Sequence, residues 1–211
     1  MKRRPRVPKE GARGGTTGSP ASGPLAVALT GGIAAGKSEA LRAFERHGAA
    51  VISSDDVVHR LYREDEGLQA ALRERWGERV FCDGEVDREE VGRLVFADRA
   101  ELAWLEAELH PRVRAATDEW LAAVEADVAV AEIPLLYETG GEERFDRVVV
   151  VTAPPEVREA RRGAVLVARE GRLVPEEEKV RRADFSYVND GSLEELDAFV
   201  AGVLEELRPR S

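Results

Sequence analysis

The chain has 211 residues, 43% of them apolar and 34% charged, with a net charge of −10. That length can bury one substantial core plus an insertion, and no apolar run approaches the ~20 residues that a membrane-spanning helix needs. Cys82 is the single cysteine and there are only three histidines, which rules out an internal disulfide, argues against a structural zinc site and fits a reducing, cytoplasmic setting.

Residues 1–23 carry six Lys/Arg (Lys2, Arg3, Arg4, Arg6, Lys9, Arg13) against one acid, Glu10, so the arm is +5 and the rest of the chain −15. The acidic body argues against general nucleic-acid binding. Rich in Gly, Ser, Thr and Pro and without apolar periodicity, the arm is expected to be disordered, and a solvated tail is a better reading of it than an RNA contact, which stays open. It lacks the apolar stretch of a secretory signal, and its glycines and prolines spoil the amphipathic helix of an organelle-targeting peptide.

Residues 25–30 (LAVALT) read as a short buried strand, followed by a glycine-rich loop, 31–38, and a helix over 39–46 with Ala40, Leu41 and Phe44 on one side. A second strand is expected at 49–53 and a helix from Asp55 to Arg63, where Asp55 could be a simple N-cap. Residues 59–125 read mostly as helices: 68–76, 88–96, 100–110 and 111–124, with the turn of 81–87 pivoting on Gly84. Leu102, Leu105 and Leu109 share one helical face. Strand signals return at 127–133 and 147–152, both near-continuous runs of β-formers, as in a parallel sheet covered on both faces. Pro154-Pro155 opens a further helix, 161–182 reads as helix with loops, 185–189 as a last strand, and Ser192 with Glu195 as the capping box of a final helix.

Strands alternating with helices make an α/β fold of three layers around a parallel sheet. The expected organisation is an arm (1–23), a nucleotide-binding core (24–58 and 126–211) and a helical insertion (59–125).

Gly31-Gly-Ile-Ala-Ala-Gly-Lys-Ser38 meets G-x-x-x-x-G-K-[ST] at every fixed position, between a strand and a helix as the motif needs. Glycines let backbone N–H groups approach phosphate oxygens, and the helix N-terminus adds partial positive charge. Gly32, Ile33, Ala34, Ala35, Gly36, Lys37, Ser38 and Glu39 are therefore the candidate residues for ATP. Lys37 would reach the β- and γ-phosphates and Ser38 would ligate Mg²⁺. Glu132, at the end of the third strand, is either a second carboxylate toward the Mg²⁺ or a solvated strand end. The motif alone leaves kinase, GTPase, ATPase motor and switch open. No Asn-Lys-x-Asp guanine-reading motif is present, which makes a GTPase the weakest of these.

Five landmarks in order resemble the dephospho-coenzyme A kinase family, over roughly residues 25–200. They are 29–38 (LTGGIAAGKS), His110-Pro111 followed by Arg114, 133–138 (IPLLYE), 145–155 (FDRVVVVTAPP), and Ala183-Asp184 with 189–192 (NDGS). The resemblance implies a phosphate-loop kinase fold with a helical acceptor-binding insertion and a lid near 160–180. It implies transfer of the γ-phosphoryl group of ATP to the ribose 3′-hydroxyl of dephospho-CoA, the last step of coenzyme A synthesis.

The family's Asp-x-Asp stands here as Ser53-Ser54-Asp55. Asp55 is thus the candidate base, and Ser53 replaces the first acid. Asn189 falls to the nucleotide side, and Asp55, His110, Arg114, Leu135 and Tyr137 to the acceptor. Arg161 is the expected lid arginine over the transferring phosphoryl group. The lid is about seven residues short of the family pattern, and Val165 stands where a second arginine is expected, so Arg162 or Arg169 would have to substitute. Of the other aromatic and imidazole groups, His59 reads as structural, His47 as exposed and inert, and Trp104 and Trp120 as core. Two rivals stay open: another small-molecule kinase of this architecture, and a non-catalytic nucleotide-binding or RNA-contacting module using the basic arm. Oligomeric state is not readable from the pattern.

Overall fold

Five strands form the main sheet of the computed structural model, which describes residues 23–162 and 173–208. In chain order the elements are β1 (Leu25–Gly31), α1 (Lys37–Arg46), β2 (Ala50–Ser53), α2 (Ser54–Glu64), α3 (Glu66–Trp76), β3 (Phe81–Cys82), β4 (Glu85–Val86), α4 (Arg88–Ala97), α5 (Arg99–Ala123), β5 (Val128–Glu132), β6 (Arg147–Thr152), α6 (Pro155–Arg162), α7 (Glu176–Arg182), β7 (Phe185–Val188) and α8 (Leu193–Leu207). Residues 1–22 of the expected arm (1–23), Val165 and Arg169 lie outside the described residues, as does the side chain of Arg162.

Main-sheet order is β2-β5-β1-β6-β7, and β1 pairs in parallel with β5 and β6, as β6 does with β7. The near-continuous apolar strands follow from covering both faces. Val27, Leu29, Val128, Val130, Val149 and Val151 point to one side and pack against Ala40, Ala43 and Phe44 of α1 and Leu196, Val200 and Leu204 of α8. Their neighbours Ala28, Ala131, Val148 and Val150 point to the other side, against Leu136, Tyr137 and Phe145. A period of two thus serves two cores at once. The capping box at the start of α8 is present: Ser192 Oγ accepts from Glu195 N at 3.3 Å, and Glu195 Oε2 accepts from Ser192 N at 3.2 Å.

Residues Ser53–Trp120 form a second compact unit. Its core gathers Tyr62, Leu68, Leu72, Trp76, Val80, Val91, Val95 and Leu105. Trp104, expected in a core, packs edge-on to Trp76, with centroids 4.9 Å apart. Asp65 caps α3 and Asp87 caps α4 through their carboxylates.

Three expectations of local structure need correction. The helices expected at 100–110 and 111–124 are one helix, α5, with Pro111 inside it. A proline costs one backbone hydrogen bond and a steric clash, which need not end a helix whose flanking turns are held by other contacts. Arg112 Nη1 adds a bond of 2.7 Å to the carbonyl of Glu108 there, and Thr117 Oγ1 one of 2.7 Å to that of Val113. Second, the 81–87 turn is a hairpin: Phe81 pairs with Val86 and Cys82 with Glu85. Asp83 (φ 51°) and Gly84 (φ 87°) both lie in the left-handed region, the Asp-Gly geometry that closes a two-residue hairpin. Third, His47 is not inert: its Nε2 lies 2.8 Å from Asp197 Oδ2, beside the Arg46–Asp197 pair. These two partners hold the Asp197 carboxyl below its usual range, Arg46 contributing most.

Candidate functional site

β1 ends at Gly31 and α1 starts at Lys37, so the loop between them crowns the carboxyl edge of the sheet. The chain order of the strands reverses on either side of β1, and that reversal is where open α/β sheets hold their ligands. Gly36 precedes the helix with φ 98° and no side-chain cap, which leaves the opening turn of α1 to meet an anion with backbone N–H groups. Ala34 takes φ 58°, a left-handed conformation that L residues adopt at a cost of about 1–2 kcal/mol and that concentrates at functional sites.

Side chains from distant parts of the core surround this loop. Lys37 Nζ donates to the carbonyl of Gly32 at 2.9 Å. Asn189, buried after β7, donates Nδ2 to the carbonyl of Ala35 at 2.8 Å, while its own N–H bonds Thr152 O at 2.7 Å. Asn189, expected on the nucleotide side, is thus hydrogen-bonded to the loop itself. A Cβ on Gly36 would collide with Asn189 Nδ2 and lie 3.6 Å from Arg161 Nη1, so the Arg161 guanidinium of α6 lies beside this end of the loop. Ile33 is half-buried and Ser38 exposed. Glu39, a carboxylate poorly suited to a nucleotide's neighbourhood, is paired with Arg42 at 3.1 Å and Arg46 at 3.4 Å, which offsets its charge.

Gly36→Ala should therefore fail twice, through positive φ and through the clash with Asn189. We expect Mg-ADP to bind about 10- to 100-fold more weakly, the equivalent of roughly 1–3 kcal/mol of backbone strain, as read by calorimetry.

Glu132 ends β5 opposite Leu29 of β1 and is 6% exposed. The solvated-strand-end alternative is thus overturned: the side chain is held inside the core. Ser38 and Glu132 are the oxygen donors that could serve a Mg²⁺. Among the described residues no group of three or more His, Cys, Asp or Glu side chains could hold a metal ion, and Mg²⁺ needs none, since it is usually held by one or two protein oxygens with water and phosphate. Glycine loop, lysine and arginine fit a polyphosphate.

The segment after β5 is bonded within itself and to α7. Leu135 is half-buried, and its carbonyl accepts Thr139 Oγ1 at 2.9 Å. Tyr137, expected to face the acceptor, is 5% exposed, its ring 4.3 Å beneath the Arg182 guanidinium. Glu138 forms an ion pair of 2.7 Å with Lys179, which is 1% exposed, and accepts from Val174 N at 3.0 Å. Arg182 also bonds Glu142. α7 is thereby tied to this segment. None of these partners was legible beforehand, because nothing local distinguishes Lys179 or Arg182 from the other charges of 176–182.

Asp55, His110 and Arg114 belong to the helical unit. Asp55 is exposed in the first turn of α2. It is not the cap: Ser53 is, its Oγ accepting from Asp55 N at 3.2 Å. The serine that stands at the first position of the Asp-x-Asp pattern caps the helix, a role Ser and Asp can both fill. His110 and Arg114, one turn apart on α5 and both exposed, line a shallow depression with Pro111, Ala115 and Asp118.

The chain is similar to known proteins over most of its length. The chain is 43% identical over 194 residues to a dephospho-CoA kinase of Mesorhizobium japonicum, covering 87% of this chain and 97% of that protein. It is 37% identical over 195 residues to one of Thermobifida fusca, covering 88% and 98%. Its fold matches a crystal structure from Thermus thermophilus with a TM-score of 0.73 at 36% identity, covering 89% of this chain and 100% of that one. It also matches the dephospho-CoA kinase from Campylobacter jejuni at 0.63 and 26%, covering 87% and 97%. A family model described as dephospho-CoA kinase spans residues 25–195, from the first residue of β1 through the capping box of α8, and with these relatives it establishes that the chain belongs to the dephospho-CoA kinase family.

Proposed function

We propose that this protein phosphorylates the ribose 3′-hydroxyl of dephospho-CoA with ATP, releasing CoA and ADP. The observation that carries the reading is the phosphate loop with Lys37, Arg161 and the open N-terminus of α1 gathered on it. The choice of acceptor rests on family membership.

In this reaction a bond forms between the acceptor O3′ and the γ-phosphorus, and the bond from that phosphorus to the β–γ bridging oxygen breaks. Phosphoryl transfer passes through a loose transition state, so the protein mainly orients reactants and neutralises charge. Backbone N–H groups of residues 34–38 and Lys37 hold the β- and γ-phosphates. Arg161 balances the charge that spreads over the equatorial oxygens. Ser38, and Glu132 directly or through water, would hold a Mg²⁺, which would supply positive charge against the phosphates.

Asp55 orients the 3′-hydroxyl and accepts its proton. Its place supports this role: it stands two residues beyond β2, and ligands of open α/β sheets bind outside the carboxyl ends of the strands. Arg114 and His110 are assigned to the acceptor's phosphate and polar groups, and Leu135 to its apolar surface.

The test is to incubate the purified chain with Mg-ATP and dephospho-CoA and follow products by mass spectrometry. Equal amounts of CoA and ADP are expected, with adenosine and AMP competing poorly as acceptors. ATP binding without CoA formation would overturn the proposal in favour of another acceptor or a binding module.

A further inference from the structure

α6 carries Arg158 and Arg161 three residues apart, hence on one face. Both reach the phosphate loop, at opposite ends. A Cβ on Gly32 would collide with Glu176 Oε1 and lie 3.4 Å from Arg158 Nη1, whereas a Cβ on Gly36 would lie 3.6 Å from Arg161 Nη1. Arg158 Nη1 and Glu176 Oε1 are 3.2 Å apart, with side chains 21% and 29% exposed. Gly32 is therefore required for close approach: an ion pair between α6 and α7 sits directly on it.

The far end of this pair is firmly held. Glu176 is the first residue of α7, where the helix dipole favours a carboxylate. α7 is anchored in turn by Lys179–Glu138 and Arg182–Glu142. A carboxylate beside a triphosphate-binding loop is unfavourable by itself, and the Arg158 guanidinium is what neutralises it there.

We infer that the Arg158–Glu176 ion pair is a positioning strut: it fixes α6 at the Gly32 end of the phosphate loop and thereby aims Arg161, one turn on, at the Gly36 end. The strut rests on the phosphotransfer reading of the site. It gives this chain, among the described residues, a device for orienting Arg161.

The experiment uses the full chain and the variants R158A, E176A, R161A, R158A/E176A, R158A/R161A and R158K. The readouts are kcat for CoA formation, KM for each substrate and calorimetric binding of Mg-ADP and of a non-hydrolysable Mg-ATP analogue. R158A and E176A should each lower kcat about tenfold, with the R158A/E176A double no worse than either, as for two residues acting as one unit. In the R161A background, loss of Arg158 should cost less than about twofold, because its effect runs through Arg161. KM for dephospho-CoA should not move, and R158K should fall between wild type and R158A, which a general loss of folding would not produce.

Additive losses in R158A/R161A, or an unchanged kcat in R158A while wild type makes CoA, would overturn the strut and leave the kinase reading intact. If wild type makes no CoA yet binds Mg-ADP, the kinase reading falls. The strut is then decided by affinity for the Mg-ATP analogue, where R158A and R161A must again be non-additive.

Discussion

Asp55→Asn should lower kcat for CoA formation by about 10²- to 10⁴-fold, the usual range for removing a general base. Asparagine keeps the shape and can still accept a hydrogen bond from the 3′-hydroxyl, so it separates proton acceptance from orientation. The cap of α2 does not depend on this carboxylate. Ser53 Oγ accepts the backbone N–H of residue 55, which the substitution preserves. Stability should therefore change little, and Mg-ADP should bind as before. Steady-state kinetics beside a urea melt checks both halves. A kcat within threefold of wild type would remove Asp55 from the chemistry while leaving the nucleotide site untouched.

The second large effect concerns the fold. Lys179→Met should destabilise the nucleotide-binding unit by about 3–5 kcal/mol, because it strands a buried carboxylate. Glu138 would keep only its bond from Val174 N, in a position that is largely closed to water. Adding Glu138→Gln should restore most of the loss: the charge is gone and an oxygen remains for Val174. The urea midpoint reads both variants. Equal stability of Lys179→Met and Lys179→Met/Glu138→Gln would show that the ion pair contributes nothing of its own.

The two expectations sit at opposite ends of what a sequence can disclose. The phosphate loop was legible because its function is carried by the backbone. Glycine at 36 and the strand-loop-helix order of 25–46 are local requirements, and each leaves a local mark. Strands β1, β5 and β6 were legible for a related reason. A parallel strand buried on both faces cannot alternate with polar residues, so it appears as an unbroken run such as Val148-Val-Val-Val151. Ser192 with Glu195 forms a cap within four residues, and that too needs no distant partner.

Pro111 and the Asp83-Gly84 turn mark the next level. Both carry the expected local signal, yet whether a proline ends a helix or is absorbed by it depends on what holds the turns on either side. Likewise, a two-residue hairpin is too short to show periodicity, so only its Asp-Gly corner was visible.

Long-range pairing of charges was beyond reach. The sequence by itself determined the phosphate loop, the three-layer α/β plan and the family, because each is written in residues close together or in landmarks that keep their order. The tertiary structure alone decided that Lys179 lies buried against Glu138, 41 positions away, that Asn189 reaches back 154 positions to the Ala35 carbonyl, and that Arg158 meets Glu176 on Gly32. The physical reason is that Coulomb attraction and hydrogen bonding depend on distance in space, and in a chain with 31 basic and 41 acidic residues composition supplies many possible partners while only the folded backbone selects one.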